Sequence, residues 1–328
     1  MHDSLPTLTL KKGEDRRLRA GHLWIFSNEV DTARSSLLGF TPGDPAVVLD
    51  FRGQPLGVGL VNPGTLICCR MLTRNPRQAV DGALIHARLA RALTLRERLF
   101  AEPYYRLVHA EGDELPGLIV DRFGDVLSVQ ANTAGMDRLL PQVLEALHRL
   151  LAPRGVLLRL DTAARELEGL PRTVRSEGET PDWIEVRESG LTLTAPFAAG
   201  QKTGWYYDMR EVRRRASDLA AAATGKDGGP VLDCCCYAGA LGVRAAVLGA
   251  PQVLCLDASQ AALDAVAENA RRCGVADRVQ TARGDAFDLL AGLPRRGFAL
   301  ASIDPPAFIK RKKDLKTGSE AYGRLNRL

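Results

Sequence analysis

The stretch PVLDCCCYAGALG (230–242) decides how this chain is read. A short apolar run ends in an aspartate and three successive cysteines. A small turn follows, with glycines at 239 and 242, and then a helical pattern opens. That is a strand–turn–helix unit, and the alternation continues downstream. Strands are expected at 230–236, QVLCLD (252–257), RVQTAR (278–283) and FALASID (298–304), with helices at 240–249, 259–273 and 286–292. Such alternation implies parallel strands joined by right-handed crossovers, a doubly wound α/β fold with expected strand order 3-2-1-4. Ligands of such sheets bind beyond the C-terminal ends of the strands. All four ends here carry a carboxylate: Asp233, Asp257, Asp285 in the turn after the third strand, and Asp304 at the head of DPPAF (304–308).

Two cofactor chemistries compete for this site. A dinucleotide fingerprint needs bare backbone at its first two glycines, so that the pyrophosphate can approach. The aligned stretch is YAGALG, with Tyr237 at the first glycine position. S-adenosylmethionine carries no phosphate and does not need that approach. Asp257 suits the ribose hydroxyls of either ligand, Asp285 the adenine amino group, and Asp233 the cationic amino end of a methionine. Tyr237, Ala238, Gly239 and Gly242 form the turn around the cofactor, and Ala258 and Ala286 follow two of the carboxylates. Acidic tips and Gly-x-x-Gly turns are each common, but the ordered set favours S-adenosylmethionine over a nicotinamide or flavin.

The chain has seven cysteines, five of them in the runs Cys68–Cys69 and Cys234–Cys236. Metal sites need spaced ligands such as C-x-x-C pairs, so no metal is expected, and nothing here resembles a disulfide framework. Cys68, Cys69, Cys234 and Cys235 read as small buried side chains of strands. Cys236 stands nearest to the cofactor turn and is the first of the triplet to weigh as a nucleophile. Against that role, the first strand faces the methionine part of the cofactor.

Upstream, residues 1–74 read as a small β-rich domain, with strands at 46–51, 55–61 and 65–72 separated by tight turns. Residues 75–183 read as a second α/β domain: a helix at 77–100, a strand–turn–strand at 106–130, a helix at 137–151, a strand at 155–161 and a polar loop at 172–183. Residues 184–328 open with a hairpin and an aromatic loop before the alternating segment.

The 328 residues are 45% hydrophobic and 25% charged, ordinary for a globular chain. No signal-peptide core and no membrane-length apolar run is visible, so a cytoplasmic protein is expected. The net charge of +5 equals that of residues 309–328 alone, where seven Lys/Arg face Asp314 and Glu320. Smaller basic clusters lie at 11–19 and 210–215. A polyanion such as RNA explains clustered cations, and so do solvated faces. The RNA reading names Lys11, Lys12, Arg16, Arg17, Lys202, Arg210, Lys310, Arg311, Lys312 and Lys313.

GQKTGWYYDMR (200–210), DCCCYAGALG (233–242) and DPPAF (304–308) together resemble the bacterial 23S rRNA large-subunit cytosine-5 methyltransferase family. RAGHLWIFSNEVD (19–31) and GVGLVNPGTLICCRML (57–72) are similar to its N-terminal PUA segments, and RLVHAEGDELPGLIVDRFGDV (106–126) to its central domain. The resemblance implies a PUA-like RNA-binding domain, a small α/β domain and a Rossmann-like class I methyltransferase domain acting on 23S rRNA or a large-subunit assembly particle. It also implies cysteine-adduct chemistry on a flipped-out base. Asp304 would then contact the base, Pro305 and Pro306 fix the turn, and Phe308 stack. A related branch methylates guanine N7. Exocyclic-amine enzymes often carry [DN]-P-P-[YF], whereas Ala307 here separates the prolines from the ring. In the family the nucleophile follows a fifth strand, so the chain is expected to be a fragment with strand 4 as an open edge, or with that edge covered by a second copy in a homodimer. A dinucleotide-dependent oxidoreductase and a non-catalytic RNA-binding module are the rivals from other classes.

Overall fold

A computed structural model describes residues 5–198, 200, 203–224, 228–294 and 297–328. The chain forms two compact units that meet in sequence between Thr180 and Pro181.

The first unit begins with β1 (Thr7–Thr9), the short helix α1 (Arg16–Arg19), β2 (Trp24–Ile25), β3 (Asp44–Leu49), β4 (Pro55–Val61) and β5 (Cys69–Thr73), one sheet ordered β1-β3-β4-β5-β2. Leu8, Leu10, Ile25, Val48 and Met71 fill its core together with Cys68 and Cys69. Cys69 opens β5, and Cys68 precedes it with its thiol 3.6 Å from the Ile25 carbonyl. Both cysteines are therefore packing residues.

The same unit continues through α2 (Gly82–Leu99), β6 (Tyr104–His109), β7 (Leu118–Phe123), β8 (Val126–Ala131), α3 (Ala134–Arg138), α4 (Leu140–Leu151), β9 (Gly155–Leu160), α5 (Ala163–Leu167) and β10 (Thr173–Gly178). Their sheet is ordered β10-β9-β8-β7-β6. The helix expected from residue 77 starts later, because the Asp81 carboxylate accepts the Leu84 amide at 3.0 Å and caps it there. The expected loop at 172–183 contains β10, an antiparallel edge strand on β9. Every residue of β10 is exposed, so it shows none of the apolar alternation by which a strand is recognised. The buried Glu168 accepts from Arg70 at 2.7 Å, from the Asn62 amide at 2.7 Å and from the Ala134 N–H at 3.2 Å. One carboxylate thus holds together the two halves of this unit.

The second unit contains the hairpin β11 (Trp183–Glu188) and β12 (Leu191–Pro196), then α6 (Arg210–Thr224), β13 (Val231–Cys234), α7 (Ala240–Val247), β14 (Val253–Asp257), α8 (Gln260–Arg272), β15 (Val279–Arg283), α9 (Ala286–Ala291), β16 (Leu300–Ile303) and α10 (Leu315–Leu325). The four-stranded sheet is wholly parallel and ordered β15-β14-β13-β16, the order expected from sequence. The chain leaves β13 on one side and returns on the other at β16. The crevice between those strand ends is the topological switch point, where such sheets bind ligands. Among the described residues β16 pairs only with β13, so its outer side is an edge.

The terminal helix runs from Leu315 to Leu325, and Gly318 sits inside it. A Cβ there would collide with Ile309 and the Phe308 backbone, so the glycine permits a close approach.

Candidate active site

The site is built on the turn that leaves β13. That strand ends at Cys234, and Cys235 and Cys236 already belong to the turn. Its backbone takes left-handed φ at Cys235 (61°), Tyr237 (50°) and Gly239 (70°). Two of these carry side chains, which L-residues adopt at a cost of about 1–2 kcal/mol each. Such strain persists where surrounding bonds over-determine it. Here the Cys236 amide donates to the Leu256 carbonyl at 3.1 Å, and the Tyr237 amide to Asp257 Oδ2 at 2.9 Å.

Asp257, at the tip of β14, also accepts the Ser259 amide through Oδ1 at 2.9 Å. Each of its oxygens has a second lone pair for a ligand hydroxyl. Asp233 is buried, and its Oδ2 accepts the Gly242 amide at 3.0 Å. Burial pushes its carboxyl up to about 6; the Gly242 amide and Arg213 oppose the shift, and the Asp304 and Asp257 charges add to it. Gly242 is required by space, since a Cβ would lie 2.8 Å from Cys255 Sγ and 3.2 Å from Asp233 Oδ2. Asp285 is exposed and caps α9 by accepting the Phe287 amide at 2.8 Å. Asp304 is exposed, and its own amide donates to the Cys234 carbonyl at 3.2 Å, next to the turn. The sheet thus brings Asp233, Asp257 and Asp304 together, close enough for each to bear on the ionisation of Asp233. Ala238 is buried behind the turn, while Ala258 and Ala286 follow their carboxylates at exposed and half-buried positions.

The thiols divide by environment. Cys236 is hydrogen-bonded to Cys255 and buried, and both effects hold it far above the ordinary thiol range. A buried thiol held neutral in this way is a poor nucleophile. Cys234 is likewise raised, by its hydrogen bond with Cys235 and by burial. The half-buried Cys235 is lowered by that same bond, against burial and the charges of Asp257, Asp304 and Asp233. It packs against the core cluster of Leu232, Leu256, Leu290 and Leu325.

Other expected positions fall differently. The Phe308 ring packs on Tyr322 at 4.7 Å and Phe287 at 5.9 Å, so it anchors the terminal helix instead of standing ready for a base. Pro305 is half-buried beside it. Arg210 is 3.6 Å from Glu188 and its guanidinium lies 5.2 Å over Tyr207, which makes it a bracing residue of this unit rather than a phosphate contact. Lys202 lies outside the described residues. Lys310, Arg311, Lys312 and Lys313 are exposed, with Arg311 3.5 Å from Asp314. In the first unit, Lys12 and Arg16 are exposed, Lys11 donates to the Asn28 carbonyl at 2.7 Å, and Arg17 pairs with Glu29 at 2.5 Å.

Residues 8–74 match the family of PUA-like domains, and residues 209–317 match the family described as conserved hypothetical protein 95. The ribosomal RNA large subunit methyltransferase I of Photobacterium profundum is 32% identical over 330 residues, 98% of this chain and 81% of that protein. The protein of the same name from Klebsiella pneumoniae is 32% identical over 337 residues, 100% and 82% of the two chains. The chain belongs to this family. A solved structure from Streptococcus mutans, described as a SAM-dependent methyltransferase, superposes with TM-score 0.77 at 17% identity, covering 96% of this chain and 82% of that one. A methyltransferase solved in complex with SAH gives 0.78 at 17% identity, covering 94% and 78%. These two share the fold: a PUA-like domain and a Rossmann-like methyltransferase sheet, as expected from sequence. The family is one of methyltransferases, and the oxidoreductase and non-catalytic readings fall. Among the described residues no helix is long and apolar enough to cross a membrane.

The site fits S-adenosylmethionine, the cofactor expected from sequence: its buried carboxylate, Asp233, suits a cation, and Arg213, whose charge bears on it, is engaged by Glu188. Arg213 makes two 2.7 Å bonds to Glu188, which also accepts the Trp205 indole N–H at 3.0 Å. This network escapes sequence reading, because its members come from β11, the aromatic loop and α6. The same holds for the buried Asn269 of α8. It bonds both backbone groups of Thr194 (2.7 and 2.9 Å) and the Ala238 carbonyl (2.9 Å), joining the hairpin to the cofactor turn. A lone Asn in a helix of good helix formers is its only signal in the sequence.

Proposed function

We propose that this enzyme methylates carbon 5 of a cytosine in 23S rRNA of the large subunit, with S-adenosylmethionine held by Asp233, Asp257, Asp285 and the turn 237–242. The cofactor, when bound, supplies an electrophilic methyl group. Asp257 fixes the ribose through lone pairs left over from the Tyr237 and Ser259 amides. Asp233 pairs with the methionine ammonium. Asp304 reaches the target base from the strand end beside both. On the target base a thiolate adds to the ring carbon next to carbon 5, carbon 5 takes the methyl group as the methyl–sulfur bond breaks with its electron pair left on sulfur, and a base removes the carbon 5 proton, which expels the thiolate and restores the ring.

The observation that carries the choice of carbon over an exocyclic amine is the DPPAF tip. Ala307 follows the prolines, and the ring at 308 is committed to Tyr322 and Phe287. No ring stands directly behind Pro306 to stack a base whose amine is presented to the cofactor. The nucleophile is assigned to none of the seven thiols in residues 1–328. Five are buried, Cys235 packs on the Leu290 cluster, and the half-buried Cys273 caps the C-terminus of α8. RNA would be held by the PUA-like domain and by Lys310–Lys313.

The test is mass analysis of nucleosides from 23S rRNA methylated by the enzyme. 5-Methylcytosine is expected; 7-methylguanine or an N-methylated base overturns the assignment.

A further inference from the structure

One helix supports the cofactor turn from behind. α8 starts after the Ser259 cap, beside Asp257, and its buried face carries Val266 and Asn269 one turn apart. Val266 packs against Gly239, where a Cβ would lie 2.9 Å from Val266 Cγ2. Asn269 is fully buried and bonds to backbone on two sides. Its Oδ1 accepts the Thr194 amide at 2.7 Å, and its Nδ2 donates to the Thr194 carbonyl and to the Ala238 carbonyl, both at 2.9 Å. The two bonds to Thr194 serve β12 as a neighbouring strand would, on the side facing away from β11. The third bond reaches the turn between Tyr237 and Gly239, both of which have left-handed φ.

We propose that Asn269 is a positioning residue for the cofactor: through the Ala238 carbonyl it fixes the turn that spaces the Tyr237 amide, bound to Asp257, from the Gly242 amide, bound to Asp233. The inference rests on the cofactor site proposed above and adds to it a residue that acts through the turn rather than on the ligand. The left-handed φ of Cys235 and Tyr237 is strained, and such strain persists only where surrounding bonds over-determine it. Removing the Asn269 amide takes this bond from the buried Ala238 and lets the turn relax. Asp257 keeps its orientation, because the Ser259 amide still holds its Oδ1 at 2.9 Å. Asp233 is bound to the Gly242 amide of α7, which follows the turn directly and moves with it. The relaxation therefore changes the spacing between the two carboxylates. A ligand that spans both, with its ribose on Asp257 and its ammonium on Asp233, depends on that spacing. A ligand that reaches Asp257 alone does not.

The experiment is calorimetric titration of two ligands into the wild type, Asn269→Ala and Asp257→Ala. One is S-adenosylhomocysteine; the other is methylthioadenosine, which has the adenine, ribose and thioether but no amino-acid end. Asn269→Ala should bind S-adenosylhomocysteine about tenfold more weakly, the scale of one hydrogen bond, and change methylthioadenosine less than about twofold. Should Asn269→Ala fail to fold, Asn269→Ser, which keeps a small polar side chain, tests the same ratio. Equal weakening of both ligands, or no change in either, makes Asn269 a packing residue and overturns the inference. Its failure is separable from that of the site, because Asp257→Ala must weaken both ligands if the site is correct.

Discussion

Replacing Asp233 by Asn tests the cofactor site through a sign as well as a size. In the fold the carboxyl titrates at about 6 against an ordinary value of 3.8, mainly through burial. That difference corresponds to about 3 kcal/mol, the cost of keeping this side chain ionised inside the protein at neutral pH. The folded state binds the extra proton, so this contribution favours folding below pH 3.8 and is lost as pH rises through about 6. Asn keeps an acceptor for the Gly242 amide and carries no charge. Asp233→Asn should therefore be more stable at pH 7, by up to about 3 kcal/mol. A ligand ammonium needs the ionised form. About a tenth of the carboxyl is ionised at pH 5 and about nine-tenths at pH 7, so wild-type affinity should rise about tenfold across that interval. The Asn variant should show a flat profile and weaker binding at pH 7. Urea melts and calorimetry at pH 5, 6 and 7 measure both effects. Parallel affinity profiles in the two proteins would refute the reasoning and leave Asp233 as a pin for the Gly242 amide.

Three further outcomes follow from the same contacts. Asp257→Ala should bind S-adenosylmethionine at least about tenfold more weakly, the loss of one charge-assisted hydrogen bond; unchanged affinity removes Asp257 from the ribose. Glu188→Ala leaves Arg213 without its buried partner and should cost about 3–5 kcal/mol in urea unfolding, whereas a loss under about 1 kcal/mol would show the network is slack. Reversing Lys310, Arg311, Lys312 and Lys313 to Glu should weaken rRNA binding and flatten its dependence on salt; equal salt slopes would make the cluster a solvated face.

The sheet was legible because its signals are local. Each of β13, β14 and β16 is an apolar run closed by a carboxylate, and the alternation with helices leaves few topologies. What escaped depends on partners distant in sequence or on surfaces without an apolar pattern. All six residues of β10 are exposed, so only its pairing with β9 makes it a strand. Arg210 reads as one cation of a basic cluster, yet Glu188, twenty-two positions earlier, draws it inward. Phe308 reads as a free ring after a proline pair until Tyr322, fourteen residues on, packs against it and its hydroxyl accepts the Phe308 amide at 3.2 Å.

The cysteine triplet shows how the two kinds of information combine. Three successive residues of an extended strand would point to alternate faces, and small apolar side chains would suit any of them. The strand instead stops at the first cysteine, and the left-handed φ at Cys235 turns the next two into separate surroundings. Cys234 and Cys235 pack on the Leu232–Leu290 side, while Cys236 meets Cys255 behind the turn. A larger residue at 236 would press on Cys255, whose sulfur already lies where a Cβ at Gly242 would fall. Small sulfur-bearing side chains therefore let α7 sit close enough for the Gly242 amide to reach Asp233. On the proposed reading, the triplet shapes the turn beside the carboxylate that meets the cofactor, and none of its thiols is the nucleophile.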